Sequence, residues 1–128
     1  MPDVTLPVQV AVVAALRGSG ALTGIVGSRI YDRAPANAAA PYALLSGWTA
    51  DDEGVECGEA ARVAFAVDCY SAEPGREQVA EMAGAVKSAL HRLEASGLEV
   101  MWQGSVWNQE KDGLTHRASC RFEALADG

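Results

Sequence analysis

The sequence predicts an α+β fold with a largely antiparallel sheet of about five strands, one long helix packed on a face and a short N-terminal helix. Two observations support this prediction. Segments with β character follow one another in runs that are joined by turns, rather than alternating singly with helices. One stretch, residues 71–97, has the three-and-four spacing of a long amphipathic helix.

The long helix is predicted over residues 71–97. Ser71 is a candidate N-cap, Pro74 suits the first helical turn, and Gly97 is expected to lie at the end. At ~1.5 Å per residue this helix is about 30 Å long, enough to cross a small sheet. Its apolar stripe consists of Val79, Met82, Ala83, Val86, Leu90 and Leu93.

A short apolar helix is predicted near the N-terminus, where a Gly-Ser-Gly sequence marks its end. Val8, Val12 and Leu16 form one stripe of this helix, and Val10 and Val13 widen its apolar side. We therefore expect this helix to be sandwiched between the domain and a neighbouring element or subunit. Val8, Val12 and Leu16 are the predicted subunit-contact residues.

The remaining chain contains the predicted strands. After a helical turn at residues 22–26, β segments are expected at residues 28–31, 42–48, 61–70, 98–107 and 114–124. Gly104 is a candidate bulge position, and residues 108–113 have the composition of a turn. The side chains predicted to face inward on two of these strands are Val63, Phe65, Val67, Cys69, Leu114, His116, Ala118, Cys120, Phe122 and Ala124.

An acidic insert at residues 49–60 is expected to be a mobile loop, since it contains glycines and no basic residue. Two interpretations remain open for it, namely a solvated disordered insert and a contact surface. Its acidic residues are Asp51, Asp52, Glu53, Glu56 and Glu59.

Composition restricts the possible functions. The chain has 128 residues, 49% of them hydrophobic, which matches one domain spanning residues 1–128 that buries a core without metals or disulfides. A net charge of -7 disfavours binding to DNA phosphates or anionic lipid. The 3 cysteines have no C-x-x-C spacing, so free thiols in a reducing compartment are expected. The apolar run at residues 6–16 is too short to span a bilayer, and a soluble chain without a membrane partner is expected.

No residue set predicts enzymatic chemistry. Gly18, Gly20 and Gly24 vaguely resemble a dinucleotide-binding fingerprint, but they follow a helix and their spacing is one residue too long. His116 and Cys120 share a strand face at ~13 Å, beyond hydrogen-bond reach. The strand cysteines occupy inward positions, which is typical of small buried hydrophobes. We therefore predict no catalytic, cofactor-binding or metal-binding residues.

Two motifs, together with their order in the chain, resemble those of a known family. Residues 30–35, Ile-Tyr-Asp-Arg-Ala-Pro, are followed by Pro41 and Tyr42, and residues 112–117, Asp-Gly-Leu-Thr-His-Arg, run into the final strand. With the opening helix, the segment at residues 21–32 and the glycine-bearing insert, they resemble the tail-completion or tail-terminator family of long-tailed bacteriophages, prophages and gene transfer agents. The resemblance spans nearly the whole chain.

The resemblance implies a virion structural protein, not an enzyme. Similar proteins form a sixfold ring on the last ring of the tail tube, stop tube polymerisation and present a docking face to head-completion (neck) proteins. The implied partners are therefore other copies of the chain, the tail tube protein and a neck protein, at the tail–neck junction of a virion assembled in the bacterial host cytoplasm. DNA would pass through the ring without specific binding.

The resemblance also gives the acidic insert a role. If residues 51–59 faced the tail tube or the lumen, their charge would repel DNA phosphates in transit. Two alternatives remain, namely another head-to-tail connector, adaptor or minor tail protein, and a small α+β enzyme with a pocket under the long helix. The enzyme is disfavoured because no set of acids, bases or metal ligands converges in the sequence.

Overall fold

The computed structural model describes residues 5–52, 61–95 and 97–126. The strands of this part of the chain form one 6-stranded sheet in the order β1-β2-β3-β6-β5-β4. All neighbouring strands are antiparallel except β1 and β2, which are parallel. The predicted α+β class with a largely antiparallel sheet is confirmed. The elements are α1 (Thr5–Arg17), α2 (Gly20–Val26), β1 (Ile30–Tyr31), β2 (Tyr42–Asp52), β3 (Ala61–Ser71), α3 (Glu77–Leu90), β4 (Glu94–Ala95), β5 (Leu98–Gln109) and β6 (His116–Ala126).

The core lies between one face of the sheet and the helices. α3 contacts β3, β5 and β6, and α1 and α2 pack against α3. Phe65 and Phe122 lie opposite each other on β3 and β6 with ring centroids 5.6 Å apart, and Trp48 stacks on Phe65 at 4.8 Å. This face is buried because strand alternation places apolar side chains here. It includes Val63, Val67, Cys69, Ala118, Cys120 and Ala124, as predicted.

The long helix is shorter than predicted, because it begins at Glu77 rather than near Ser71. Ser71 is the last residue of β3, and its hydroxyl donates to Gln78 Oε1 at 2.6 Å and accepts from the Glu73 N–H at 3.2 Å. Gly75 has a φ of 78°, a left-handed conformation that interrupts helical geometry before residue 77. The 14 residues of α3 extend over about 21 Å, not 30 Å.

The end of α3 also differs from the prediction. The helix stops at Leu90 because His91 is extended and Arg92 has a φ of 66°. Leu93 still packs against the core, which explains why the apolar stripe continues in the sequence after the helix has ended. Gly97 belongs to the connection between β4 and β5, so this short strand replaces the predicted last turn.

Two predicted strand ends are also corrected. β2 continues through Asp52, so residues 49–52 are strand rather than loop, while residues 53–60 lie outside the described residues. Leu114 was predicted to face inward, but it precedes β6 in the turn and is 72% exposed. The predicted irregularity at Gly104 is confirmed as a register shift between β5 and β6, and β2 has a similar shift after Ser46.

The two N-terminal helices form a bent pair. The Ser19 hydroxyl caps α2 by accepting the Leu22 N–H at 3.2 Å, which allows a new helix to start soon after α1 ends. Within the described ranges, no single helix is long and apolar enough to cross a membrane. α1 and α2 meet that criterion only together, across a bend of 80°.

Candidate functional site: assembly surfaces

Helix α1 has a buried side and an exposed side. Val8, Val12 and Leu16 are each 0% exposed, and they belong to the core of the chain itself. The sequence therefore identified the correct stripe. A single copy buries these side chains within its own core, and their predicted contact with a second subunit stays a prediction. The exposed side carries Leu6 and Val10, which are 59% and 62% exposed. This side adds exposed apolar surface to the predicted subunit contact of α1.

Only the beginning of the predicted acidic surface lies in the described part of the chain. Asp51 is exposed and pairs with Arg62 in the β2–β3 register, and Asp52 is the last residue of β2. Glu53, Glu56 and Glu59 lie outside the described residues. The interpretation of residues 51–59 as a surface facing the tube or lumen therefore stays a prediction.

The face of the sheet opposite the helices, here called the open face, carries a tyrosine cluster at one end. Tyr42 on β2 lies opposite Tyr70 on β3, and their rings stack at 4.6 Å between centroids. Tyr31 on β1 adds a third ring at 5.9 Å from Tyr42. Stacked aromatic pairs across strands stabilise a sheet by about 0.2–1 kcal/mol each. This cluster combines apolar rings with phenol groups at the surface.

Asp68 lies beneath the cluster on the open face, although only 5% of it is exposed. It accepts a hydrogen bond from the Ser46 hydroxyl at 2.8 Å, and Arg117 Nε lies 3.9 Å from its other carboxylate oxygen. Arg117 Nη1 is also 3.7 Å from Glu110 Oε1. Asp68 Oδ1 and Arg117 Nε are buried without a hydrogen-bond partner. The sequence analysis missed this group, because alternation alone places Asp68 at a solvated position.

The electrostatics of the cluster follow from burial. Burial is the main reason that the pKa of both Tyr42 and Tyr70 lies above the ordinary tyrosine value. The carboxylates of Glu110 and Asp68 add to this rise in pKa, because a nearby negative charge disfavours a phenolate. Both phenols therefore remain protonated at neutral pH, and their O–H groups are available as donors to a partner.

The outer strands β2 and β5 are covered over only part of their length. β1 pairs with β2 at Ala43 and Leu44, and β4 pairs with the first two residues of β5. Beyond Trp102, whose N–H donates to His91 Nδ1 at 3.1 Å, no described residue makes a backbone–backbone hydrogen bond to the outer edge of β5. The same holds for β2 beyond Leu44 within the described part of the chain. We call residues 45–52 the free half of β2 and residues 103–109 the free half of β5.

The free half of β5 also exposes large apolar side chains. Val106 is 43% exposed and Trp107 is 41% exposed. The Arg76 guanidinium, just before α3, lies 5.3 Å from the centre of the Trp107 ring. A groove of about 570 Å³ separates the start of α3 from this half-strand, and its lining residues include His116 and Arg117 but no acidic side chain. The sequence does not specify this surface, because strand spacing does not show which strand lies at an edge of the sheet or how far its neighbour extends.

The cysteine and histidine positions agree with the separation that the sequence predicted. Cys120 lies opposite Val67 and shares a hydrogen bond with Cys69, whereas His116 lies opposite Ser71 at the start of β6. The hydrogen bond to Cys120, followed by burial, raises the pKa of Cys69 well above its ordinary value. Both thiols are free and buried. Among the described residues, no group of 3 or more His, Cys, Asp or Glu side chains is arranged to hold a metal ion.

The features that present the largest exposed or unpaired surfaces are thus two free strand edges, an apolar helix side and a tyrosine cluster. A chain of a solved structure described as "Virion of native gene transfer agent (GTA) particle" has the same fold, with a TM-score of 0.83, 24% identity and 94% of each chain covered. None of the curated proteins matches this chain. A family model described as "Tail completion protein gp17" matches residues 10–127. Since that match covers nearly the whole sequence, the chain belongs to the tail completion protein gp17 family, whose members are structural proteins of phage tails.

Proposed function

We propose that this protein forms a ring that caps the end of a phage-type tail tube, terminates tube polymerisation and joins the tail to head-completion (neck) proteins. The family match over residues 10–127 is the observation that carries this proposal. In this role the protein resides at the tail–neck junction of the virion, after assembly in the cytoplasm of the bacterial host. Its partners are the tail tube protein, a neck protein and other copies of itself, with which it forms a sixfold ring.

The shape of the subunit supports a ring. A closed ring of identical subunits requires two different surfaces on opposite sides of each subunit, because its contacts are head-to-tail. The free halves of β2 and β5 lie at opposite edges of one sheet. The exposed apolar side of α1, with Leu6 and Val10, offers a further contact surface.

The net charge supports a conduit for DNA. With a formal charge of -7, the subunit repels phosphate overall, so DNA passes through the ring without specific binding. We place residues 51–59 at the lumen or the tube-facing rim, where Asp51, Asp52, Glu53, Glu56 and Glu59 supply this repulsion. A lumen map of the assembled ring tests this placement, and a basic or apolar bore would contradict it.

Removal of the gene tests the main proposal. Without a terminator, tube polymerisation has no end signal, so we expect tails longer than normal and heads that are separate from tails in electron micrographs. Supplying the intact gene in trans should restore tails of normal length that carry heads. Normal, joined particles in the deletion strain would overturn the proposal. Immunogold labelling of the chain along the tail rather than at its head-proximal end would favour a minor tail protein.

A further inference from the structure

We infer that the free half of β5 in one copy pairs in antiparallel fashion with the free half of β2 in the next copy, so that the sheet continues from subunit to subunit. This inference deepens the proposed ring by naming the surfaces that meet. The occupant of the β5 edge is therefore a second copy of this chain.

Neither edge is protected by proline or by charge along most of its length, although a register shift interrupts each one. Sheet edges that remain in water usually carry charged residues or proline, which prevent pairing with another chain. The free half of β5, with the sequence Gln-Gly-Ser-Val-Trp-Asn-Gln, contains neither. The free half of β2 contains neither until Asp51. Exposed Val106 and Trp107 add apolar surface at the same edge. Such an edge is suited to pairing with a strand of another chain.

The directions of the strands also favour this pairing. β2 is antiparallel to β3, β3 to β6, and β6 to β5, so β2 and β5 run in opposite directions within one subunit. A second copy in the same orientation, placed beside β5, therefore presents its β2 in the antiparallel sense. The helices of both copies then lie on the same side of the continued sheet. No rearrangement of the subunit is needed.

The positions of the two free halves along the strands define a register for this pairing. Val106 aligns with Ser119 of β6, whereas Thr49 aligns through Ala64 with Glu123 of the same strand. Pairing the free halves thus shifts the next copy along the strand direction by about four residues, or ~13 Å. With this shift, β1 of the next copy and β4 of the first lie beyond the ends of the paired segment. A constant shift is also what closing a sheet into a barrel requires.

The charges are complementary as well. Among the described residues that line the groove beside the free half of β5 are Arg76 and Arg117 but no acidic side chain, and Arg76 lies above Trp107. The free half of β2 ends in Asp51 and Asp52. With Thr49 opposite Val106, Asp51 and Asp52 reach the start of the free half of β5, whereas a symmetric pairing of two β5 edges would set the same basic groove against itself.

A proline variant of one edge residue tests the pairing. Trp102, Ser105 and Trp107 face alternate residues of β6, so all three direct their backbone groups to the outer edge, as the Trp102 N–H does in its bond to His91. Trp107→Pro therefore removes an outward N–H but no hydrogen bond to β6. Trp107→Val, which lacks the same ring but keeps the N–H, is the matched control.

We expect both variants to fold, as judged by circular dichroism. Incorporation of Trp107→Pro into purified particles should fall at least tenfold below that of Trp107→Val, as measured by mass spectrometry. Equal incorporation of the two variants would overturn the inference.

Crosslinking gives an answer that does not depend on the proline variant folding. Thr49 and Val106 lie on the open face of strands separated by β3 and β6, so they cannot be joined within one chain by a short crosslinker. Between copies they become opposite residues. In a Cys57→Ser background, the double variant Thr49→Cys and Val106→Cys should give a ladder of linked chains when intact particles are treated with a short bis-maleimide. Thr49→Cys alone should give no chain longer than a dimer.

The two proposals fail separately. If micrographs show a ring of this protein at the end of the tail but the Thr49→Cys and Val106→Cys double variant gives no ladder of crosslinked chains, the edge pairing is wrong and the proposed function stands. If the ladder forms but labelling places the chain elsewhere in the particle, the edge pairing stands and the terminator function is wrong.

Discussion

The face of the sheet that the helices cover and the open face belong to the same strands, yet their side chains are of different kinds. On the side covered by helices, Val63, Phe65 and Val67 alternate regularly along β3 and are at most 2% exposed. On the open face the same strand places Ala66 in partial contact with water and Asp68 almost completely out of it. Apolar contact alone accounts for the covered side. The open face combines small residues, stacked tyrosines and an enclosed ionic group, and of these the tyrosines are the residues that are enriched where proteins meet.

The largest expected effect separates the two sides of α1. Val12→Asp places a carboxylate among core residues that exclude water, so we expect a loss of about 4 kcal/mol or more in the free energy of unfolding. Val10→Asp, two positions away at a site that is 62% exposed, should change it by about 0.5 kcal/mol or less. Urea titration of the two purified variants measures both values. Similar losses of stability in the two variants would mean that α1 is not divided into a buried side and an exposed side.

The same pair of variants also tests assembly. If the exposed side of α1 contacts another subunit, Val10→Asp should remain folded but be absent from particles. Normal incorporation of Val10→Asp would show that this side of the helix lies outside the subunit contact.

An intermediate effect is expected at Asp68. Asp68→Ala leaves Arg117, whose Nε is buried, without its carboxylate and Ser46 without an acceptor, so we expect a loss of about 1–3 kcal/mol. Asp68→Asn, which keeps an acceptor for Ser46, should lose less. Thermal unfolding followed by circular dichroism distinguishes the two variants. A change below about 0.5 kcal/mol in Asp68→Ala would mean that this group does not stabilise the subunit.

The smallest effect concerns pH. The pKa of Tyr42 and of Tyr70 is raised above 10.0 in the folded chain, mainly by burial. A raised pKa in the folded state means that the stabilising contribution is complete below the unfolded-state pKa and is lost as pH rises through the folded-state pKa. We therefore expect the free energy of unfolding to fall with pH above about 10, and to fall less in Tyr70→Phe. If the stability of Tyr70→Phe had the same pH dependence as that of the wild-type protein, the raised pKa of Tyr70 would not be a cause of the loss of stability.

The parts of the fold that the sequence predicted are those where one periodicity acts alone. The alternation predicted the buried apolar residues of β3, and those of β6 from Ala118 onward, because both strands lie centrally in the sheet and have helices on one side. The stripe of α3 predicted its buried face as well. It overextended the helix because Leu93 packs against the same core from outside the helix, and spacing cannot distinguish these two cases.

Features that depend on contacts between distant segments were not predictable. The burial of Asp68 arises from Ser46 on β2 and Arg117 on β6, neither of which is a neighbour in the sequence. The parallel pairing of β1 with β2 depends on where the loop after Tyr31 returns the chain. The uncovered length of β5 depends on β4 having only 2 residues, which no composition signal marks.

The register shift at Gly104 determines which side chains in the second half of β5 face the helices. One added residue between Trp102 and Gly104 reverses the inside–outside order of everything that follows on β5. Trp107 therefore points toward the helices and Val106 away from them, whereas a regular strand made of the same residues would exchange the two. Gain or loss of this irregularity without a change in length would therefore present a different set of side chains at the end of β5 while the central strands stay as they are.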